Sequence, residues 1–217
     1  MTDVVPKPPR LPSDLEETEI GVLVDDAACA DVTLSDMVWS AQHADGVRCE
    51  AVRLTAVDLS GSRLEKLRVS DAALNKCNLA NLRGLGAQAT RVTIEGSRLT
   101  GISLMEASLR DVTVRDCRVD LASFGVADLV RVTFEDCVMT ETSFLDARLQ
   151  GIRFHGCDLT RADFRGATLR DCEIRRTELT DLEGIARLRG AAIDWPGIVA
   201  NADVWAAALG IGVLDSD

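Results

Sequence analysis

The sequence predicts a solenoid of square coils, each turn built from four five-residue sides, and three observations carry that prediction. A five-residue frame runs without a slip from Val32 to Leu179, a small residue followed two places later by a large apolar one, with only Ala44, Cys49, Gly84 and Ala89 not bulky at the large positions. None of the positions in that frame, small or large, holds a charge. Sorted by position within the four-sided turn, the small positions separate by type: Val52, Ala72, Val92, Val112, Val132 and Ile152 in one set, Cys77, Ser97, Cys117, Cys137 and Cys157 in the next, Ala107, Ala127, Ala147 and Ala167 in another. A period of five fits neither a helix nor a flat strand, so the chain must bend repeatedly to keep one face inside. Four bends close a coil in which each residue packs on its own kind one turn away.

The elements follow in chain order. Residues 1–30 open with Pro6, Pro8, Pro9 and Pro12, then Asp14, Glu16, Glu17 and Glu19, a composition expected to be mobile. Ile20–Val24 is expected to form a short strand leading into the first coil. Trp39, Gln42, Ala44 and Cys49 depart from the inward rule as an end cap would, since the end of a solenoid is an open sheet edge that needs covering. Residues 31–183 are the solenoid. After Leu179 the frame decays through Gly184, and residues 184–217 read as a helical cap. Asp194, Trp195 and Pro196 start a helix, Gly210 stops it, and Asn201–Asp203 is a point of division. Ile211–Leu214 reads as a closing strand.

Composition narrows the function classes. At 217 residues and 47% hydrophobic the chain is one domain by size. No apolar run reaches the length that a membrane-spanning helix needs, and the stretch from Met1 to Ala30 lacks a basic region followed by an apolar one, so the expected location is cytoplasmic, with no membrane contact. The Cys residues in inward slots act as compact apolar fillers and are expected to be reduced, and no CxxC or Cys/His cluster suggests a metal. His43 and His155 fall at outward positions without partners. The GxGxxA string from Gly84 to Ala89 sits in repeat register with no strand-turn-helix unit around it, and Gly84 reads as compensation for the oversized Leu82. Carboxylates interleave with Arg so that no acid/base pair stands out, and neither an enzyme activity nor a cofactor is expected.

Two surface features remain. Leu85, Met105, Gly125 and Leu145 recur at one outward position before Arg165, with Leu121, Val126, Val130 and Val138 nearby; such a stripe is either a partner surface or a seat for the N-terminal segment. Asp116 and Asp136 are the candidate acidic wall. The net charge of −11 lies mostly off the coil: residues 1–30 hold seven acids and two bases, residues 31–183 hold 24 and 20, and residues 184–217 hold four and two.

Ala127-Asp128-Leu129, Cys157-Asp158-Leu159-Thr160-Arg161 and Ala162-Asp163-Phe164-Arg165-Gly166 resemble the pentapeptide-repeat family. That resemblance implies an all-β, right-handed quadrilateral parallel β-solenoid of about 7.5 coils, a rod of roughly 36 Å at the ~4.8 Å strand spacing, with a short C-terminal helical cap. The Gly190–Asp194 element and the ending from Leu209 resemble the tail of members that protect or inhibit DNA gyrase, which implies a homodimer joined through Trp195, Ile198, Val199, Trp205 and Leu209. With no loop breaking the frame, the plan is nearest to the loopless mycobacterial gyrase-inhibiting, fluoroquinolone-resistance members. The implied role is a DNA mimic that binds DNA gyrase or topoisomerase IV and no nucleic acid directly. The near-balanced coil favours the alternative, an interaction scaffold with an unassigned partner.

Overall fold

The computed structural model describes residues 5–213, which form a parallel β-solenoid. The chain lays down β1 (Glu16–Glu17), then the longer strands β2 (Ala28–Ser35), β3 (Arg48–Thr55), β4 (Arg68–Asn75), β5 (Gln88–Glu95), β6 (Ser108–Arg115) and β7 (Asp128–Glu135). In the last two full coils the strand divides at its corner into β8 (Arg148–Gln150) and β9 (Arg153–His155), then β10 (Thr168–Arg170) and β11 (Glu173–Arg175). From β2 to β11 every ladder partner lies one full turn of the frame along the chain, as in Leu34↔Leu54 and Leu109↔Leu129. The large residues of the frame define four walls. Leu109, Leu129 and Leu149 lie on the first, Val114, Phe134 and Phe154 on the second, Val119, Met139 and Leu159 on the third, Leu104, Phe124 and Phe144 on the fourth. All are buried except Leu104, which is half-buried.

The corners explain why the period is five. Every fifth residue from Asp26 to Asp181 has a positive φ, whether glycine or not. Left-handed backbone costs an L-residue about 1–2 kcal/mol, and Val126 and Leu121 accept it without the local hydrogen bonding that eases Asp or Asn. The cost is offset because corner N–H groups reach carbonyls of the next coil, as in Asp36 to Thr55 and Gly46 to Glu65. Corners after the third and fourth walls also close a turn bond, for example Ala122 N–H to Val119 O at 3.3 Å.

Both ends differ from expectation. The solenoid has about nine turns, not 7.5, because two strands outside the five-residue frame extend it. β1 pairs with β2 short of a full turn, with Glu16 opposite Val32, and β12 (Ala192–Ile193) pairs with β11 just short of one, with Ile193 opposite Ile174. Ile20–Val24 is no strand: the Trp39 indole donates to Ile20 O at 2.7 Å and Gln42 Oε1 accepts from Leu23 N–H at 2.7 Å, so cap side chains replace the ladder and Leu23 closes the core. Residues 5–12 are likewise seated on the coil rather than loose, as described below.

The tail carries a 3₁₀ turn (Ile185–Leu188), then α1 (Trp195–Ala200) and α2 (Ala202–Ala208). Asp194 Oδ1 caps α1 at Gly197 N–H, and buried Asn201 marks the division, its amide donating to Gly197 O at 2.8 Å. At the end of α2, Gly210 N–H reaches Ala207 O and Ile211 N–H reaches Ala206 O, a Schellman closure. Ile211–Val213 forms no strand, and Leu214 lies outside the described residues, as do residues 1–4 and 215–217 of the two terminal segments. At Gly84, a Cβ would meet Leu104 Cδ2 at 3.1 Å, so the missing side chain makes room for Leu104 of the next coil rather than for Leu82.

Candidate interaction surfaces

The fourth wall presents the apolar stripe. Leu85, Met105 and Leu145 are each about two-fifths exposed and recur at the same position of their coils. At Gly125, between Met105 and Leu145, a Cβ would sit 3.8 Å from the Met105 methyl, so Met105 lies across the gap. Ser103, Ser123 and Ser143 share this wall, and exposed Leu121 and Val126 flank it at the corners. Between Ser103 and Leu145 the wall positions carry no charge, whereas Arg63, Glu65 and Arg83 stand below and Asp163 and Arg165 above. Val138 is exposed on the third wall, apart from the stripe, while Val130 on the first wall is buried.

Counting each wall together with the corner that precedes it, acids exceed bases on the third and fourth walls and nearly balance on the first and second. Asp116 and Asp136 stand exposed, one coil apart, at the corner between the second and third walls. Much of the remaining acid is matched by an arginine: Arg115 with Glu135 and Arg161 with Glu141 in register one coil apart, Arg118 with Asp120 and Arg165 with Asp163 two residues apart on one wall, and Arg165 also with Glu183. Arg165 holds the Asp163 carboxyl below its ordinary range.

The N-terminal segment lies along the corner between the first and second walls. Asp71 and Asp111, buried there two coils apart, accept the N–H of Arg10 (2.9 Å) and of Lys7 (3.1 Å). Each is also clasped from the coil above by an arginine, Asp71 by Arg91 Nε at 2.6 Å and Asp111 by Arg131 Nε at 2.7 Å. These guanidinium bonds, with the strap amides behind them, hold both carboxyls below the usual range. The described residues of the segment are therefore seated by Asp71 and Asp111 and not by the apolar stripe. Nothing in a one-dimensional pattern marks Asp71 and Asp111 apart from the other corner acids; the spacing of Lys7 and Arg10 was the available signal.

At the far end, Trp195, Val199 and Leu209 are exposed, joined by Ile211 and Val213. Ile198 is half-buried, and Trp205 packs against the core with its indole N–H buried and without a partner. The five tail residues are thus split between a free surface and the seat of the tail on the rod.

Cys77, Cys117, Cys137, Cys157 and Cys172 are buried free thiols, and burial pushes Cys77 and Cys172 up. Half-buried Cys29 and Cys49 stack with their sulfurs 3.0 Å apart. His155 is half-buried, its Nε2 3.7 Å from Glu173, while His43 is exposed. Among the described residues no His, Cys, Asp and Glu group could hold a metal, and no helix is long and apolar enough to cross a membrane.

Residues 120–183 match the family profile described as the pentapeptide repeat region. No curated protein sequence matches the chain. Among solved structures, HetL, a pentapeptide repeat protein involved in heterocyst differentiation regulation in the cyanobacterium Nostoc sp. strain PCC 7120, is 17% identical with a TM-score of 0.47, over 77% of this chain and 89% of that one. A trypsin-treated variant of QnrB1, a plasmid-mediated fluoroquinolone resistance protein, is 20% identical with a TM-score of 0.46, over 91% of this chain and 95% of that one. Rfr23, a pentapeptide repeat protein from the cyanobacterium Cyanothece 51142, is 13% identical with a TM-score of 0.22, over 79% of this chain and 86% of that one.

Proposed function

We propose that this pentapeptide-repeat protein is a non-catalytic rod that binds a cytoplasmic protein partner through its fourth wall. The observation that carries the reading is the uncharged face from Ser103 to Leu145, with Met105 and Leu145 exposed and no described segment of the chain covering them. The wall positions themselves carry no charge over this span, and Glu106, Glu141 and Asp146 stand at its corners, so the apolar face has a charged rim. The full chain with Met105→Glu and Leu145→Glu keeps its fold, since both side chains point outward, and loses proteins that the wild type retains on a column. A captured set unchanged by the two substitutions would overturn the assignment.

The most specific partner is DNA gyrase or topoisomerase IV, engaged by DNA mimicry. The net charge of −11 and the acid surplus on the third and fourth walls support this second reading; the arginines paired in register weigh against it. Purified gyrase tests it: inhibition of supercoiling that weakens steeply as salt rises, and that is lost in Asp116→Lys/Asp136→Lys, supports mimicry. No inhibition at micromolar protein and low salt removes the topoisomerase and leaves the scaffold.

A homodimer through the tail rests on Trp195, Val199 and Leu209, whose apolar surface is larger than the rod end covers, and a two-fold contact would use the same patch twice. Trp195→Glu is the informative substitution, because Trp205 serves the seat of the tail. Light scattering that gives a monomer for both wild type and variant removes the dimer.

A further inference from the structure

We propose that the corner column Asp71, Arg91, Asp111 and Arg131 is a binding site for proline-rich peptides in the polyproline II form, filled here by the chain's own residues 5–12, and that a proline-rich segment of a partner protein, with basic residues three apart, binds by replacing them. The site is separate from the apolar stripe and does not depend on it.

The argument begins with the segment. Between Val5 and Pro12, every residue except Arg10 is a proline or precedes one. Proline fixes φ and drives the residue before it to extended backbone, so the stretch is pre-set to polyproline II, with three residues per turn and ~3.1 Å per residue. Among residues 6–12 only Lys7, Arg10 and Leu11 possess an N–H at all, and Lys7 and Arg10, one full turn apart, fall on the same face. Their separation of ~9.3 Å matches the ~9.6 Å rise of two coils. Asp71 and Asp111 stand two coils apart, and each takes one of those N–H groups.

The column is built for that spacing. Acid and base alternate up the corner, so each arginine reaches down to the aspartate below and fixes its carboxylate with one oxygen facing the segment. Ala51 on the same corner and Val130 beside it are buried at slots that elsewhere face solvent, which marks how far along the rod the covering extends. Affinity comes from two charge-assisted backbone bonds and a pre-ordered ligand. Selectivity comes from the requirement for N–H groups at i and i+3, with prolines elsewhere and basic side chains near two carboxylates. Because the resident segment is tethered, its effective concentration is in the millimolar range, so it acts as a built-in competitor that sets the threshold for any outside peptide.

The test uses the full chain and a fluorescent peptide of residues 4–13. Lys7→Pro/Arg10→Pro keeps the segment extended but removes both donors, vacating the column without touching the core. The expected result is weak peptide binding to wild type, binding at least tenfold tighter to Lys7→Pro/Arg10→Pro, and loss of that binding when Asp71→Ala/Asp111→Ala is added. Alanine is tolerated at these corners, as Ala51 and Ala56 adopt the same left-handed backbone. In the wild type, slow exchange of the Lys7 and Arg10 amides is the expected result. The proposal is overturned if Lys7→Pro/Arg10→Pro binds no tighter than wild type, if the aspartate substitutions leave binding unchanged, or if a peptide with proline at both donor positions binds equally well, which would mean that neither the N–H donors nor the basic side chains hold the contact. A drop in mass by light scattering on Lys7→Pro/Arg10→Pro would place the segment on a second copy and overturn its role as a competitor within one chain.

Discussion

The two halves of the rod follow one frame but fill it differently. In the C-terminal half, Phe124, Phe144 and Phe164 stack up the fourth wall with centroids 5.3 and 4.9 Å apart, and Phe134 and Phe154 stack at 5.5 Å up the second wall. The two columns meet edge-to-face across the core at 5.8–6.4 Å, so the rings interleave. In the N-terminal half the same positions hold Leu34, Leu54, Leu74, Leu64 and Gly84, and an apolar cavity of about 120 Å³ remains, lined by residues from Leu23 to Leu109. Aliphatic side chains of uneven length leave gaps that flat rings close. The underfilled half is the one braced from outside, since the N-terminal segment crosses the coils of Asp71 and Asp111. A repeat frame thus settles which face is inside without settling how well it is packed.

The largest expected effect breaks the dense half. Phe144 touches rings above, below and across, so Phe144→Ala removes stacked and edge contacts together and should cost about 3–5 kcal/mol. Urea unfolding followed by circular dichroism measures it. A loss under about 1 kcal/mol would mean that the ring columns do not set the packing.

The next pair opposes the halves directly. Ala89 lines the cavity and lies in a column whose neighbours are Val69 and Leu109. Ala89→Leu fills existing space and should stabilise by about 0.5–2 kcal/mol. Ala147 is fully buried beside the Phe columns, and Ala147→Leu should destabilise by about 1–3 kcal/mol. Opposite signs from one chemical change are the expected outcome; equal signs would erase the distinction.

Much of this was legible in the residue order. Five-residue spacing places the inward set, because every coil repeats one geometry, and the same spacing places the exposed stripe. The Phe columns are visible when the large positions are sorted by full turns, but their edge-to-face interleaving across the core is not, since it depends on the width of the coil. Ends defeat the method for a physical reason. β1 and β12 join short of a full turn, at Glu16↔Val32 and Ile174↔Ile193, and both strands lie outside the stretch over which the five-residue spacing repeats. The Pro-rich segment reads as mobile by composition because its partners, Asp71 and Asp111, are distant in sequence and look like any other corner acids.

The outer brace should contribute less than the core and should depend on pH. With their pKa values depressed by Arg91 and Arg131, Asp71 and Asp111 stabilise the folded state above the ordinary aspartate pKa of about 3.9, and that contribution is lost as pH falls through the lower folded values. Asp71→Ala/Asp111→Ala should therefore cost about 1–3 kcal/mol at neutral pH, and the gap to wild type should shrink as pH drops below the ordinary aspartate range. A gap constant with pH would mean that the charge of the pair plays no part.

The smallest effect separates the halves by access alone. Cys117, Cys137 and Cys157 form a buried column whose thiols point to backbone carbonyls, as Cys137 does to Val114 O at 3.5 Å. Cys29 and Cys49 sit half-buried at the capped end. A thiol reagent should label the capped-end pair first and the column only as the protein unfolds, because a thiol must be both ionised and reachable to react. Cys137→Ala should change stability little, since alanine fills equivalent slots at Ala127 and Ala147 on the first wall. Labelling of the column at the rate of Cys29 in native buffer would mean that the C-terminal coils open locally, and the density of their ring stacks would then not translate into rigidity.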